Sequence, residues 1–195
     1  MSPAPRAARS ARREALLAAA DQVVQRDGAA ASMASIAAEA GITKPILYRH
    51  FGDKSGLYAA LAERHTDRLL EHLTGALRSE GTARQRVERT VDAYLATIET
   101  EPQVYRFLVQ SVEAAPVQGQ VRTFVRRLAE QLAAGITLEL GLVPGDVRAG
   151  AWAAGIVGMV QAAGEWWLDT APCSRAELTG QLTDLLWGAY GTAAG

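Results

Sequence analysis

The chain has 195 residues, 49% of them apolar or aromatic, and a formal net charge of −1. That is enough apolar material for a core, or for a small module joined to a larger one. The lone cysteine, Cys173, excludes an intrachain disulfide and a thiolate cluster, and suits a reducing compartment. The charge is unevenly shared: the first 60 residues hold eight basic against five acidic side chains, and the remainder is acidic. Such a split suits a nucleic-acid-facing head on an acidic body. Arg12-Arg13 precedes an apolar stretch, but Asp21, Gln22 and Gln25 interrupt the run that twin-arginine export needs. A cytoplasmic protein is the expectation.

In chain order, Leu16, Ala19, Ala20, Val23 and Val24 repeat as one buried helical face, and Asp27-Gly28 supplies a stop. Ser32 is a good N-cap for a short second helix with Met33, Ile36 and Ala37 inward, closed by Gly41. Thr43 is placed to cap a third, with Pro45 tolerated in its first turn and Leu47 and Phe51 on its inner face before Gly52. Asp53 opens a long fourth helix in which Leu57, Leu61, Leu69, Leu73 and Leu77 recur until Gly81. Capping boxes at Thr82/Gln85 and Ser174/Glu177 open the fifth and last helices, and Pro102, Pro116 and the segment 141–146 divide the chain between them. No alternating run with turn signals occurs, so the expectation is all-α, about nine helices and no sheet.

The segment 149–168 is apolar on nearly every side and long enough to span a bilayer. Four glycines lower its hydrophobicity and no basic cluster flanks it. It is read instead as a helix buried between its own domain and a second subunit, with Ala151, Ala154, Gly155 and Gly158 allowing close backbone approach.

Residues 32–58 contain two short helices around a glycine turn, the layout of a helix-turn-helix, whose second helix enters the DNA major groove N-terminus first. Lys44 can donate to guanine O6 and N7, Thr43 can serve base or phosphate, and Pro45 offers an apolar surface to a thymine methyl. Tyr48, His50 and Lys54 suit phosphates, Ser32 is a further candidate DNA contact, and Arg12 and Arg13 with Arg6 and Arg9 form a basic arm over 1–13.

The run GITKPILYRHFGDKSGLY resembles the signature of the TetR (tetracycline-repressor) family: a glycine turn, a short helix ending in Tyr-x-His-Phe, then Lys shortly before Leu. Gly56 departs from the helix former usual at its place. The resemblance implies that Thr43, Lys44, Pro45, Tyr48, His50 and Lys54 contact DNA. It also implies a homodimer paired through the last two long helices, a pseudo-palindromic double-stranded operator, and a small effector that releases it. The expected division is a DNA-binding domain over 1–52 and a ligand-binding and dimerisation domain over 53–195, linked by the fourth helix at 53–80. Transcriptional activation, or regulation without a ligand, remains open on the same fold, as does a helical binding protein without DNA function.

For the effector, expected to be hydrophobic or aromatic, the nominated residues are Tyr94, Tyr105, Gln110, Phe124, Trp152, Met159, Gln161, Glu165 and Trp166. Gln110, Gln161 and Glu165 stand out because a buried amide or carboxylate within an apolar face needs a partner. His65 and His72 share a helix face, but two imidazoles without a third ligand make no metal site and read as solvated or interface histidines. No phosphate-cradling glycine loop, HExxH or CxxC spacing appears, so neither an enzyme nor a cofactor is expected.

Overall fold

The computed structural model describes residues 3–110 and 115–191. Among them lie nine α-helices, a 3-10 turn over Gly28–Ala30, and no strand. The helices are α1 (Pro3–Asp27), α2 (Met33–Glu39), α3 (Lys44–Phe51), α4 (Lys54–Leu77), α5 (Ala83–Thr100), α6 (Pro102–Gln110), α7 (Ala115–Glu139), α8 (Val147–Thr170) and α9 (Arg175–Gly191). The chain forms two compact units: Met1–Thr66 with Glu101–Val121, and Asp67–Thr100 with Arg122–Gly195.

In the first unit, α1 buries Leu17, Ala20, Val23 and Val24, and α2 sets Met33, Ile36 and Ala37 against them. Ser32 caps α2 through a reciprocal box: its Oγ accepts from Ser35 N at 3.1 Å, and its own N–H donates to Ser35 Oγ at 3.0 Å. Gly41, at φ +63°, turns the chain into α3, where Leu47 enters the core at 0% exposure. Thr43 sits at the N-cap of α3 but its side chain makes no capping bond. The first turn of α4 is capped by Asp53, whose Oδ1 accepts from Gly56 N at 2.7 Å. α6 completes this core with Val104 and Phe107, the latter meeting the edge of Tyr58 at 5.0 Å between ring centres.

In the second unit α5 and α9 are antiparallel. Arg175 at the start of α9 holds Asp92 at 2.9 Å and Glu99 at 2.6 Å, while Arg84 near the start of α5 pairs with Asp184 further along α9. Both boxes expected here form, Thr82 with Gln85 and Ser174 with Glu177. α8 meets α5 at Gly164, where a Cβ would stand 2.9 Å from Tyr94 Cε1 and from Ile98 Cδ1, so the absent side chain permits the close approach. Asp146 caps α8 by accepting from Arg148 N at 2.9 Å, and the Arg148 guanidinium beside it holds its carboxyl down to about 2. No described helix is long and apolar enough to cross a membrane.

Gly56 is not merely a weak helix former. A Cβ there would lie 2.1 Å from the carbonyl oxygen of Phe51, so the bend between α3 and α4 closes onto bare backbone. Gly56→Ala is therefore expected to lower unfolding stability by about 1–3 kcal/mol in urea denaturation.

Candidate nucleic-acid interface

With Leu47 turned inward, the residues two positions to either side of it, Pro45 and Arg49, face the opposite way, because two residues of α-helix make about 200° of turn. Both are exposed, as are Thr43 and Lys44 at the N-terminus of α3 and Tyr48 at 41%. Lys44 and Arg49 make no hydrogen bond or ion pair among the described residues. The outer side of α3 thus presents an ammonium, a guanidinium, a pyrrolidine ring and a phenol. Arg49 was not singled out by sequence reasoning; the signal available was its four-residue spacing from Pro45.

The remaining nominated residues surround this face. Ser32 is exposed at the start of α2, and its hydroxyl is engaged in the capping box. His50 is half-buried with its ring 6.4 Å from that of Phe51, and Lys54 holds its ammonium 5.1 Å over the Tyr58 ring. Pro3–Asp27 is one helix, so Arg12 and Arg13 stand exposed on α1. The Arg13 guanidinium lies 5.1 Å over the Phe51 ring, which brings α1 to the end of α3. The side chains of Arg6 and Arg9 lie outside the described residues. Arg26, by contrast, is tied to Asp27 at 2.9 Å and Glu39 at 3.2 Å, both of which raise its pKa further.

The nominated effector residues are spread over several helices. Tyr94 is buried on α5; Phe124 on α7 and Trp152, Met159 and Gln161 on α8 are half-buried. Glu165 and Trp166 are exposed, so the carboxylate expected inside an apolar face stands at the surface of the chain. Tyr105 belongs to the first unit, and the side chain of Gln110 lies outside the described residues. An open groove of about 1120 Å³ at the α7–α8 turn is lined by Ala133, Thr137, Leu138, Leu142, Val147 and their neighbours, and by none of the nominated set. The histidines also divide: His72 is exposed, but His65 is buried and bonded to Asp21, which overturns its reading as a solvated or interface side chain. No group of three metal-ligating side chains occurs among the described residues.

Two family models match this chain. Residues 16–61 fit the bacterial regulatory proteins of the tetR family, and residues 72–195 fit the tetracyclin repressor-like C-terminal domain. The chain belongs to the TetR family of DNA-binding transcriptional regulators. This TetR-family chain is 33% identical over 184 residues to the HTH-type transcriptional activator FasR of Mycolicibacterium smegmatis, covering 92% of this chain and 83% of FasR. Its fold is similar to a tetR-family regulator from Streptomyces coelicolor (TM-score 0.77, 21% identity, 93% of this chain and 83% of that one). It is also similar to FadR of Bacillus subtilis, solved with stearoyl-CoA (TM-score 0.68, 17% identity, 89% and 96%).

The capping role of Ser32 is separable from charge at the interface. Ser32→Ala should cost about 1 kcal/mol of stability, whereas Ser32→Asp, which can still accept from Ser35 N, should stay within about 0.5 kcal/mol of the native chain. If Ser32 contacts DNA, the same Asp sets a negative charge against a polyanion and is expected to weaken DNA binding roughly several-fold in a fluorescence-anisotropy titration.

Proposed function

We propose that this regulator is a cytoplasmic homodimeric repressor that reads a pseudo-palindromic operator through α3 and is released by a small, largely hydrophobic effector. The observation that carries the reading is the outward face of α3. Lys44 at its N-terminus and Arg49 one turn beyond Pro45 are cations without acidic partners among the described residues, able to donate to guanine edges, with Pro45 against a thymine methyl. Tyr48, His50, Lys54, Ser32, Thr43, Arg12 and Arg13 set the register on the sugar-phosphate backbone.

Dimerisation through α8 and α9 is supported by the surface they leave uncovered. Ala151, Ala154, Gly155, Gly158 and Ala162 are exposed along one side of α8, with Trp166 at 51% and Leu185 of α9 at 59%. Such a face loses apolar area to water only when another surface covers it. Two copies would set two α3 helices on half-sites about one DNA turn, roughly 34 Å, apart.

The second unit supplies the effector site, with Tyr94, Phe124, Trp152, Met159 and Gln161 as its walls. An effector that favours the non-binding arrangement by about 1–3 kcal/mol weakens operator affinity by roughly five- to a hundred-fold. Stearoyl-CoA, the ligand held by FadR, is a chemically apt first probe. Activation is the second reading, favoured by the relative FasR being a transcriptional activator. A reporter driven from the bound promoter separates the two, rising on deletion of a repressor and falling on deletion of an activator.

The direct test is a salt-series binding titration on DNA upstream of the protein's own gene. Lys44→Ala and Arg49→Ala are each expected to lower specific affinity by about 1–3 kcal/mol and relax base selectivity. Arg26→Ala, whose charge is already compensated, should change it by less than about two-fold. Equal losses in all three variants would contradict the assignment of readers, and no specific binding at any salt would overturn the operator reading.

A further inference from the structure

α2, α4, α5, α8 and α9 each start behind a side chain whose oxygen accepts a backbone N–H of the first turn. Ser32, Asp53, Thr82 and Ser174 accept from the residue three positions on, at 3.1, 2.7, 3.3 and 3.3 Å. Asp146 accepts from the residue two positions on, Arg148, at 2.9 Å. Thr43 holds the same place before α3, exposed, yet its hydroxyl makes no capping bond.

The backbone explains the exception. In α2, α4, α5 and α9 the carbonyl of the capping residue accepts from the residue four positions on, leaving the N–H three positions on for the side chain. In α3 the Thr43 carbonyl takes both, from Ile46 at 3.0 Å and from Leu47 at 3.2 Å. α8 also gives its third N–H to the carbonyl, Ala149 to Asp146 at 3.2 Å, and there the side chain turns to the N–H two positions on. Two positions beyond Thr43 stands Pro45, whose ring nitrogen carries no hydrogen. One donor is thus taken by the carbonyl and the other is removed by the proline.

We propose that Pro45 is a positioning residue for DNA reading: by removing the N–H that Thr43 would otherwise cap, it keeps Thr43 Oγ1 free to donate to an acceptor on the operator. The assignment rests on α3 being the reading helix. Thr43 and Lys44 stand exposed at the end of that helix which enters the groove first. A capping bond would hold Oγ1 back against the first turn. Without one, the hydroxyl exchanges a bond to water for a bond to DNA and breaks nothing within the chain. This role is separate from the contact of the proline ring with a thymine methyl, and a double-mutant cycle separates the two.

The test uses the full chain and the bound DNA upstream of its own gene. Thr43→Val keeps the shape of the side chain and removes the hydroxyl. It is expected to lower operator affinity roughly five-fold or more in the native background, and by less than about two-fold when Pro45→Ala is already present. Whatever Pro45→Ala itself loses at the thymine cancels in that comparison. A second readout needs no DNA: the amide that Pro45→Ala introduces at position 45 should exchange its hydrogen roughly five-fold more slowly than the same amide in the double variant, because Thr43 Oγ1 captures it. Equal Thr43→Val losses in the two backgrounds, no loss in the native one, or an introduced amide whose exchange ignores Thr43 would each overturn the assignment. A native chain that binds no operator sinks the α3 reading and this assignment with it, whereas a native chain that binds while the cycle shows no coupling sinks this assignment alone.

Discussion

Tyr58 is the constraint on which the reading head depends. It projects from the second turn of α4, buries its ring edge-on against Phe107 of α6, and donates its hydroxyl to the carbonyl of Ala31 in the link between α1 and α2. Two further stretches of chain, 27 and 49 residues from Tyr58 in sequence, are thereby referred to one side chain. The hydroxyl bond removes a buried polar group that would otherwise cost free energy, and the ring supplies much of the apolar contact around it. Burial pushes the phenol up from its ordinary value, so it stays a neutral donor. With α4 set in this way, the close turn at Gly56 and the cap from Asp53 fix where α3 must end, and Leu47 fixes its rotation.

Local charge pairing decides which cations are available to a polyanion. Arg26 adds to a count of basic residues in the first 60, but Asp27 and Glu39 already compensate it. Arg13 and Lys54 lie over aromatic rings, an arrangement that stiffens the side chains while leaving their charge in place. Lys44 and Arg49 have neither restraint. The electrostatic footprint is thus narrower than net charge suggests, and it centres on the outer side of one eight-residue helix.

The second unit is organised by different means. Ion pairs at both ends align α5 and α9, and a glycine lets α8 approach α5, while the opposite side of α8 is left with small and apolar residues at the surface. A helix apolar all round was the expectation for this segment, and the exposed side is the part a lone chain leaves uncovered. Trp167 anchors the following turn by donating its indole N–H to the carbonyl of Cys173 at 2.8 Å, so the cysteine matters here through its backbone.

What the sequence by itself determined were features set within a few residues: the caps at Ser32, Asp53, Thr82 and Ser174, the turn at Gly41, the order of the helices among the described residues, and the outward placement of Thr43, Lys44 and Pro45. Capping bonds and glycine turns are local, so residue type and spacing suffice to read them. Only the tertiary structure decided that α6 joins the core of the first unit, that His65 sits between Asp21 and Glu101, and that Glu165 is exposed while Tyr94 is buried. Periodicity reports that a helix has an inner face, but the partner that face meets comes from residues tens of positions away. That choice depends on side-chain volume and charge matching in three dimensions, which no window along the chain contains.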